Sequence, residues 1–226
     1  MWIEKREYWN EKDHRSDIRQ PRWGHAGPGG PEEDPVGGFK FGGWTFHYWD
    51  DAMGAFMGET FTKPFDLLLG RKTYDIFAAH WPYQDNDPIA ESFNAVTKYV
   101  ATHRHDTLTW NNSQSLGDDV VATLRQLKQE DGPDLLIQGS SDLIQTLLAN
   151  DLIDEISLLI FPLVLGKGKR LFGNGTMPSA LKLTRSQASS TGVIMATYER
   201  GGEIKAGSFA PEKPSEAEIE RRKTWK

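Results

Sequence analysis

Short apolar segments alternate with helix-like segments from residue 66 to residue 164, and this alternation constrains the fold more than any other feature. Apolar runs at 66–69, 98–102, 134–138 and 155–164 predict buried strands. Apolar side chains at helical spacing and helix-capping residues predict helices at 48–59, 71–80, 88–96, 118–130 and 141–150. Strands that alternate with helices favour a mostly parallel sheet covered on both faces, which is an α/β fold of three layers.

The two ends of the chain differ from this central part. Residues 1–36 mix charges, tryptophans, glycines and prolines without a strand or helix period, so we expect an irregular N-terminal segment. Polar and apolar residues alternate at 181–188 and 192–198, which predicts a C-terminal antiparallel hairpin. A short strand is expected at 108–110, and the charged residues 201–226 are expected to form a flexible tail. The domain itself is placed at 37–200.

Composition excludes several classes of function. The chain has 226 residues, no cysteine and a net charge of −6. Disulfides, thiolate catalysis and cysteine-bound metals are therefore excluded, and a nucleic-acid or membrane partner is not expected. The six histidines show no metal-ligand spacing, so we expect no metal. The start of the chain lacks a signal-peptide core, and a cytoplasmic location is expected.

Glycine, hydroxyl and basic residues follow three of the expected strands. The carboxyl ends of parallel strands share one edge of a sheet, and unpaired N–H groups at helix N-termini attract anions there. A dinucleotide or a similar phosphate-rich ligand is therefore expected, although a solvated first turn, an ordinary polar turn and simple helix capping are alternatives. The residues concerned are Gly70, Arg71, Lys72 and Thr73 after the first strand, Thr102 and Arg104 after the second, and Gly139, Ser140 and Ser141 after the third.

Four motifs in order carry a family resemblance. They are Leu-Gly-Arg-Lys-Thr-Tyr at 69–74, Gln-Gly-Ser at 138–140, Asp-Glu-Ile at 154–156, and Phe-Pro-Leu-Val-Leu-Gly-Lys-Gly-Lys-Arg-Leu-Phe at 161–172. With these motifs the chain resembles the dihydrofolate reductase-like superfamily over about residues 37–200. The closer likeness is to the reductase domain of riboflavin biosynthesis, the RibD C-terminal family, and within it to stand-alone "dihydrofolate reductase family" proteins.

The resemblance implies a dihydrofolate reductase-like fold and an NADPH-dependent oxidoreductase. Hydride would pass from NADPH to a small heterocyclic substrate such as 5-amino-6-(5-phosphoribosylamino)uracil. Dihydrofolate reductase and a catalytically silent nucleotide-binding module are the alternatives. Relatives commonly form dimers, so a homodimer is expected.

The resemblance also implies roles for individual residues. Gly70–Thr73 and Gly139–Ser141 match the loops that hold the cofactor pyrophosphate and 2′-phosphate, and Thr102 and Arg104 match a 2′-phosphate or adenine contact. Asp50 and Asp51 lie where folate-type reductases carry a proton-donating carboxylate, with helix capping, or proton donation by water, as the alternative. Aromatic and proline side chains would form the substrate pocket, or simply pack the core: Trp44, Tyr48, Trp49 and Pro162.

The front of the chain departs from the family. Members open with a strand that ends in Ser-Leu-Asp-Gly, and no such strand is found before residue 37. Codons for residues 22–28 can be chosen that, shifted by one base, encode the Asp-Gly-Val-Met-Gln-Ala-Pro of relatives. Our hypothesis is that the residues before about 28 are out of frame, which predicts that a central strand is missing.

Overall fold

The computed structural model describes residues 18–22, 29–31, 38–104, 108–166, 171–172, 177–209 and 213–224. These contain eight strands: β1 (Ile18–Arg22), β2 (Phe65–Gly70), β3 (Lys98–Ala101), β4 (Ser113–Ser115), β5 (Asp134–Ile137), β6 (Glu155–Ile160), β7 (Leu181–Ala188) and β8 (Ile194–Arg200). The helices are α1 (Asp51–Glu59), α2 (Arg71–Ala78), α3 (Pro88–Ala95), α4 (Val120–Leu127), α5 (Ser141–Ala149) and α6 (Glu216–Thr224).

All eight strands form one sheet in the order β4-β3-β2-β5-β1-β6-β8-β7. The pairs from β4 to β6 are parallel, whereas β8 runs antiparallel to both β6 and β7. The expected mostly parallel sheet with a C-terminal antiparallel hairpin is therefore confirmed. Among the helices that the structure describes, none combines the length and the apolar character needed to cross a bilayer.

Helices cover the two faces of the parallel strands because side chains alternate along each strand. On one face, Leu68 and Ile137 pack with Leu124, Leu143 and neighbouring side chains of α4 and α5. On the other face, Leu67, Leu69 and Leu136 join a cluster with Tyr74 of α2 and Phe93 of α3. Helix α1 covers the same second face further along the sheet, where Met53 and Phe56 meet Leu159 and Met195.

The expectation of an irregular segment without a strand before residue 37 is wrong. Strand β1 occupies the centre of the sheet, where Ile18 pairs with Leu135 of β5 and Gln20 pairs with Ile156 of β6. Its sequence is Ile-Arg-Gln-Pro-Arg. A polar segment with a proline has no strand signal of its own, and it pairs here because β5 and β6 present open backbone groups on both sides.

Several boundaries also differ from those expected. No strand forms at 108–110. Strand β4 lies at Ser113–Ser115 instead, where it pairs in parallel with β3 and Ser115 lies opposite Val100. The residues expected as a flexible tail include helix α6, whose Glu218 binds Arg221 and Arg222 along one side. Such pairs one turn apart stabilise a helix that buries no side chain.

Candidate functional site

The exits of β2 and β3 are joined by a small ion cluster. Arg71 opens α2, and its Nε donates to Oδ1 of Asp75 over 2.8 Å. The Arg71 guanidinium also donates from Nη1 to the carbonyl oxygen of Arg104, 3.1 Å away, and Arg104 approaches Oδ2 of Asp75 at 3.5 Å. The turn after β3 is held by Thr102, whose hydroxyl accepts from the Arg104 N–H. Two segments 33 residues apart thus present their charges together.

Within the described part of the chain, this cluster, named here the Arg71–Asp75–Arg104 cluster, combines two positive charges with one negative charge. Two guanidinium groups share one carboxylate, and the exposed Lys72 lies next to them in the first turn of α2. The Arg71 side chain is 17% exposed and that of Arg104 is 64% exposed. Because the N-terminus of α2 adds its own positive dipole, the cluster is suited to a multiply charged anion.

The exit of β5 lies directly against the exit of β2. A Cβ atom on Gly70 would come within 2.1 Å of Oγ of Ser140, so only a glycine fits there. Gly139 approaches Thr73 less tightly, since a Cβ on it would be 3.3 Å from the Thr73 hydroxyl. The N-termini of α2 and α5 are therefore neighbours, and the three expected cofactor segments meet at one edge of the sheet.

The turn before α5 has an unusual backbone. Gly139 has φ of 139° and Ser140 has φ of 85°, a value that non-glycine residues seldom adopt. The Ser140 hydroxyl caps α5 by accepting from the Leu143 N–H. Strained residues persist where the surrounding structure fixes them, and they concentrate at ligand sites.

The structure places Asp50 in a capping role. Its Oδ1 accepts from the Met53 N–H, and its Oδ2 accepts from the N–H and the hydroxyl of Ser190, in the turn between β7 and β8. Hydrogen bonds from Ser190 and Met53 hold the pKa of this carboxyl below its usual range. A carboxylate held ionised in this way is poorly suited to donate a proton. Asp51 is exposed in the first turn of α1.

Part of the expected aromatic pocket comes together beyond the end of β6. Trp44 and Tyr48 both meet Phe161 edge to face, at ring-centroid distances of 4.8 and 5.9 Å. Pro162 follows Phe161 and lies against Gly192 of the β7–β8 turn. Trp49 is exposed. Phe161 was not among the pocket residues expected from the sequence, although it begins one of the four motifs.

Two further residues of this edge were missed by sequence reasoning. Asp75 stands one helical turn after Arg71, and that spacing predicts their ion pair. Gln138 lies between β5 and Gly139, and its amide nitrogen Nε2 is buried without a hydrogen-bond partner in the described part of the chain. Only coordinates reveal such an unpaired donor.

The fold is an α/β domain whose mostly parallel sheet carries the candidate site at the carboxyl ends of its strands. The family model of the RibD C-terminal domain matches residues 25–195, most of the chain. The chain therefore belongs to the RibD C-terminal domain family. Within the 161–172 motif, residues 167–170 lie outside the described part of the structure.

Comparison with known proteins found further similarities. The uncharacterized protein YyaP of Bacillus subtilis is 30% identical over 141 residues, which cover 60% of this chain and 74% of YyaP. Enterococcus faecalis dihydrofolate reductase, solved with NADP(H), is 14% identical; the match covers 81% of this chain and 96% of that one, with a TM-score of 0.49. A Thermotoga maritima diaminohydroxyphosphoribosylaminopyrimidine deaminase/5-amino-6-(5-phosphoribosylamino)uracil reductase is 14% identical, with 67% and 49% covered and a TM-score of 0.47.

Proposed function

We propose that this protein is an NADPH-dependent reductase that transfers hydride to a small heterocyclic substrate. The observation that carries the proposal is the Arg71–Asp75–Arg104 cluster, set beside the Gly139–Ser140 turn at the carboxyl edge of the sheet. Ligands of open α/β sheets bind at such edges. The reaction that we propose resembles reduction of 5-amino-6-(5-phosphoribosylamino)uracil, the activity named for the Thermotoga relative.

The residues at this edge fit the phosphates of NADPH. Arg71, Arg104 and Lys72 would bind the 2′-phosphate, since planar guanidinium groups pair with phosphate oxygens in a fixed geometry. The N-termini of α2 and α5, at Thr73 and Ser141, would bind the pyrophosphate. NADPH, when bound, supplies the hydride, so the task of the protein is placement and electrostatics.

We propose solvent water as the proton source for the reduced group. The Asp50 carboxylate is held by Met53 and Ser190, and its lowered pKa opposes release of a proton near neutral pH. In this proposal Asp50 fixes α1 against the β7–β8 turn. The aromatic group at Trp44, Tyr48 and Phe161 would limit the access of water to one side of the substrate.

A catalytically silent nucleotide-binding module is the second candidate, and the composition of β1 favours it. This strand lies between β5 and β6, yet it reads Ile-Arg-Gln-Pro-Arg. If it displaces the residues that normally line the nicotinamide position, NADPH would bind without hydride transfer. Binding with no turnover of any pyrimidine or pterin would support this candidate.

The replacement Arg71→Ala tests the proposed cofactor. We expect it to weaken NADPH by about 1.5–3 kcal/mol and to leave NADH nearly unchanged, because only NADPH carries the 2′-phosphate. Titration followed by tryptophan fluorescence would measure both affinities. Arg125→Ala, on the exposed side of α4, is the matched control and should change neither. Equal losses for NADPH and NADH would contradict the 2′-phosphate role, and absence of NADPH binding by the unaltered protein would refute the proposed function.

A further inference from the structure

A carboxylate lies among the cations that we assign to the 2′-phosphate. Asp75 accepts through Oδ1 from Nε of Arg71 over 2.8 Å, and Nη2 of Arg104 lies 3.5 Å from its Oδ2. The phosphate that these two guanidinium groups would bind has the same sign of charge as Asp75 and is repelled by it. A site that serves only the phosphate gains no attraction from this carboxylate, so the position of Asp75 needs a further explanation.

Helix stability does not explain the position of Asp75. Arg71 opens α2, and Asp75 follows it one turn later. Acidic residues stabilise the first turn of a helix and basic residues the last, and an acid placed four residues before a base is the better order. Helix α2 has the reverse order. Asp75 also approaches Arg104, 29 residues later in the chain, which a pair that served the helix alone would not need.

The Asp75 carboxylate can accept further hydrogen bonds. It has about four acceptor positions, and among the described residues Arg71 and Arg104 take one each. The side chain is 47% exposed, so a ligand at the cluster can reach it. In α/β dinucleotide sites an acidic side chain accepts from the 2′-hydroxyl of the adenosine ribose. NADPH carries its phosphate at this same ribose position, so the cluster offers cations for the phosphate and a carboxylate for the hydroxyl.

We propose that the protein accepts NADH as well as NADPH, and that Asp75 accepts a hydrogen bond from the 2′-hydroxyl of the adenosine ribose of NADH. This inference rests on the proposed reductase function and adds a second hydride donor to it. The nicotinamide is the same in both cofactors, so the class of reaction does not change. Asp75 is thus a specificity-determining residue, because it attracts the hydroxyl of NADH and repels the phosphate of NADPH.

The test uses Asp75→Asn, which keeps the size of the side chain and removes its charge. Calorimetric titration would measure the Kd of NADH and of NADPH for the original protein and the variant. We expect the variant to bind NADH about fivefold more weakly, because a hydrogen bond to a charged group is lost. It should bind NADPH about twofold more tightly, because the repulsion is relieved. Asp85→Asn, in the exposed loop between α2 and α3, is the matched control and should alter neither Kd.

A second probe separates direct contact from a general effect of charge. NADH without the 2′-hydroxyl of its adenosine ribose should bind the original protein about fivefold more weakly than NADH does. The Asp75→Asn variant should bind these two forms with nearly the same Kd, because the acceptor that distinguishes them has lost its charge. A thermal melt should give the variant the Tm of the original protein, since Asp75 is half exposed.

Other outcomes overturn the inference. Binding of NADPH without NADH by the original protein would refute it, and so would equal Kd values for NADH and its 2′-deoxy form. Equal losses of NADH and NADPH affinity in Asp75→Asn would show that Asp75 only positions Arg71 and Arg104. In each of these cases NADPH binding by the original protein leaves the reductase proposal intact. Only absence of NADPH binding would refute the proposed function itself.

Discussion

Asp50 illustrates how a carboxylate that the sequence made a candidate proton donor can serve the structure instead. It closes the N-terminus of α1 through Met53 and binds both donors of Ser190, 140 residues later in the chain. Its pKa is lowered by these hydrogen bonds. Its contribution to folding is therefore present at neutral pH and is lost as the pH falls below the ordinary aspartate pKa of about 4.

The variant Asp50→Asn separates the two roles. Asparagine caps helices about as well as aspartate, so α1 should remain folded at neutral pH. We expect NADPH-dependent turnover to stay within about threefold, whereas removal of a true proton donor would lower the rate by about 10²–10⁴-fold. Steady-state kinetics together with a thermal melt would measure both effects. A rate loss of about 10²–10⁴-fold with an unchanged Tm would show that Asp50 is the proton donor.

Single residues also mark the limit of sequence reasoning. Gly70, Arg71 and Ser140 could be placed at the site because each follows an apolar run. Lys98 could not be placed in the same way. It is fully buried, donates to the carbonyl oxygens of Asn94 and Val96 at 2.9 Å, and lies over the ring of Trp110. Burial lowers its pKa to about 8, against the opposing charge of Asp66. The burial of Lys98 depends on the fold around it, including the distant Trp110 ring, and therefore gives no local signal in the sequence.

At the scale of elements, the strands and helices with strong patterns were predictable. The four apolar runs correspond to β2, β3, β5 and β6, and the alternating C-terminal segments correspond to β7 and β8. Strand β1 could not be predicted, since its pairing depends on the gap between β5 and β6 rather than on its own residues. The out-of-frame hypothesis predicted a missing central strand, and β1 contradicts that consequence. The frame itself stays a prediction, which the coding DNA for residues 1–35 tests.

Pro21 makes β1 an unfavourable central strand. A proline has no N–H, and both neighbours of a central strand need donors, so a carbonyl of the sheet loses its partner. We expect Pro21→Val to stabilise the protein by about 1 kcal/mol, which corresponds to a rise in Tm of about 2–4 °C. Calorimetric melting would measure the change. Pro64→Val, outside the sheet, should give no such gain, and an unchanged or lower Tm for Pro21→Val would contradict the pairing of β1.

At the scale of the whole molecule, none of the helices in the described ranges covers the outer part of one face of the β6-β8-β7 region. Met195 points to α1, and the residues that alternate with it point the other way. Ile160, Ile194 and Leu183 on that uncovered face are 50%, 48% and 51% exposed. Ile160 and Ile194 pair directly, as do Leu183 and Tyr198, and no charge occurs at these paired positions. A second copy could therefore approach without repulsion, although each chain has a net charge of −6.

The expected homodimer can be tested at this face. We predict that the protein is a dimer in solution and that Leu183→Lys makes it a monomer, because two lysines would be buried between the copies. Sedimentation equilibrium measures the mass. Lys182→Glu, on the opposite face of the same strand, is the control and should leave the dimer intact. A monomeric original protein, or a dimeric Leu183→Lys variant, would contradict the prediction.

The contact between Gly70 and Ser140 has a mechanical consequence. There is no space between them for even a methyl group, so neither loop can move towards the other without displacing it. A ligand that binds the loop at Gly70 should therefore also influence the position of the loop at Ser140, and the reverse should hold. A substitution that weakens ligand binding at one of these two loops should therefore weaken it at the other loop as well.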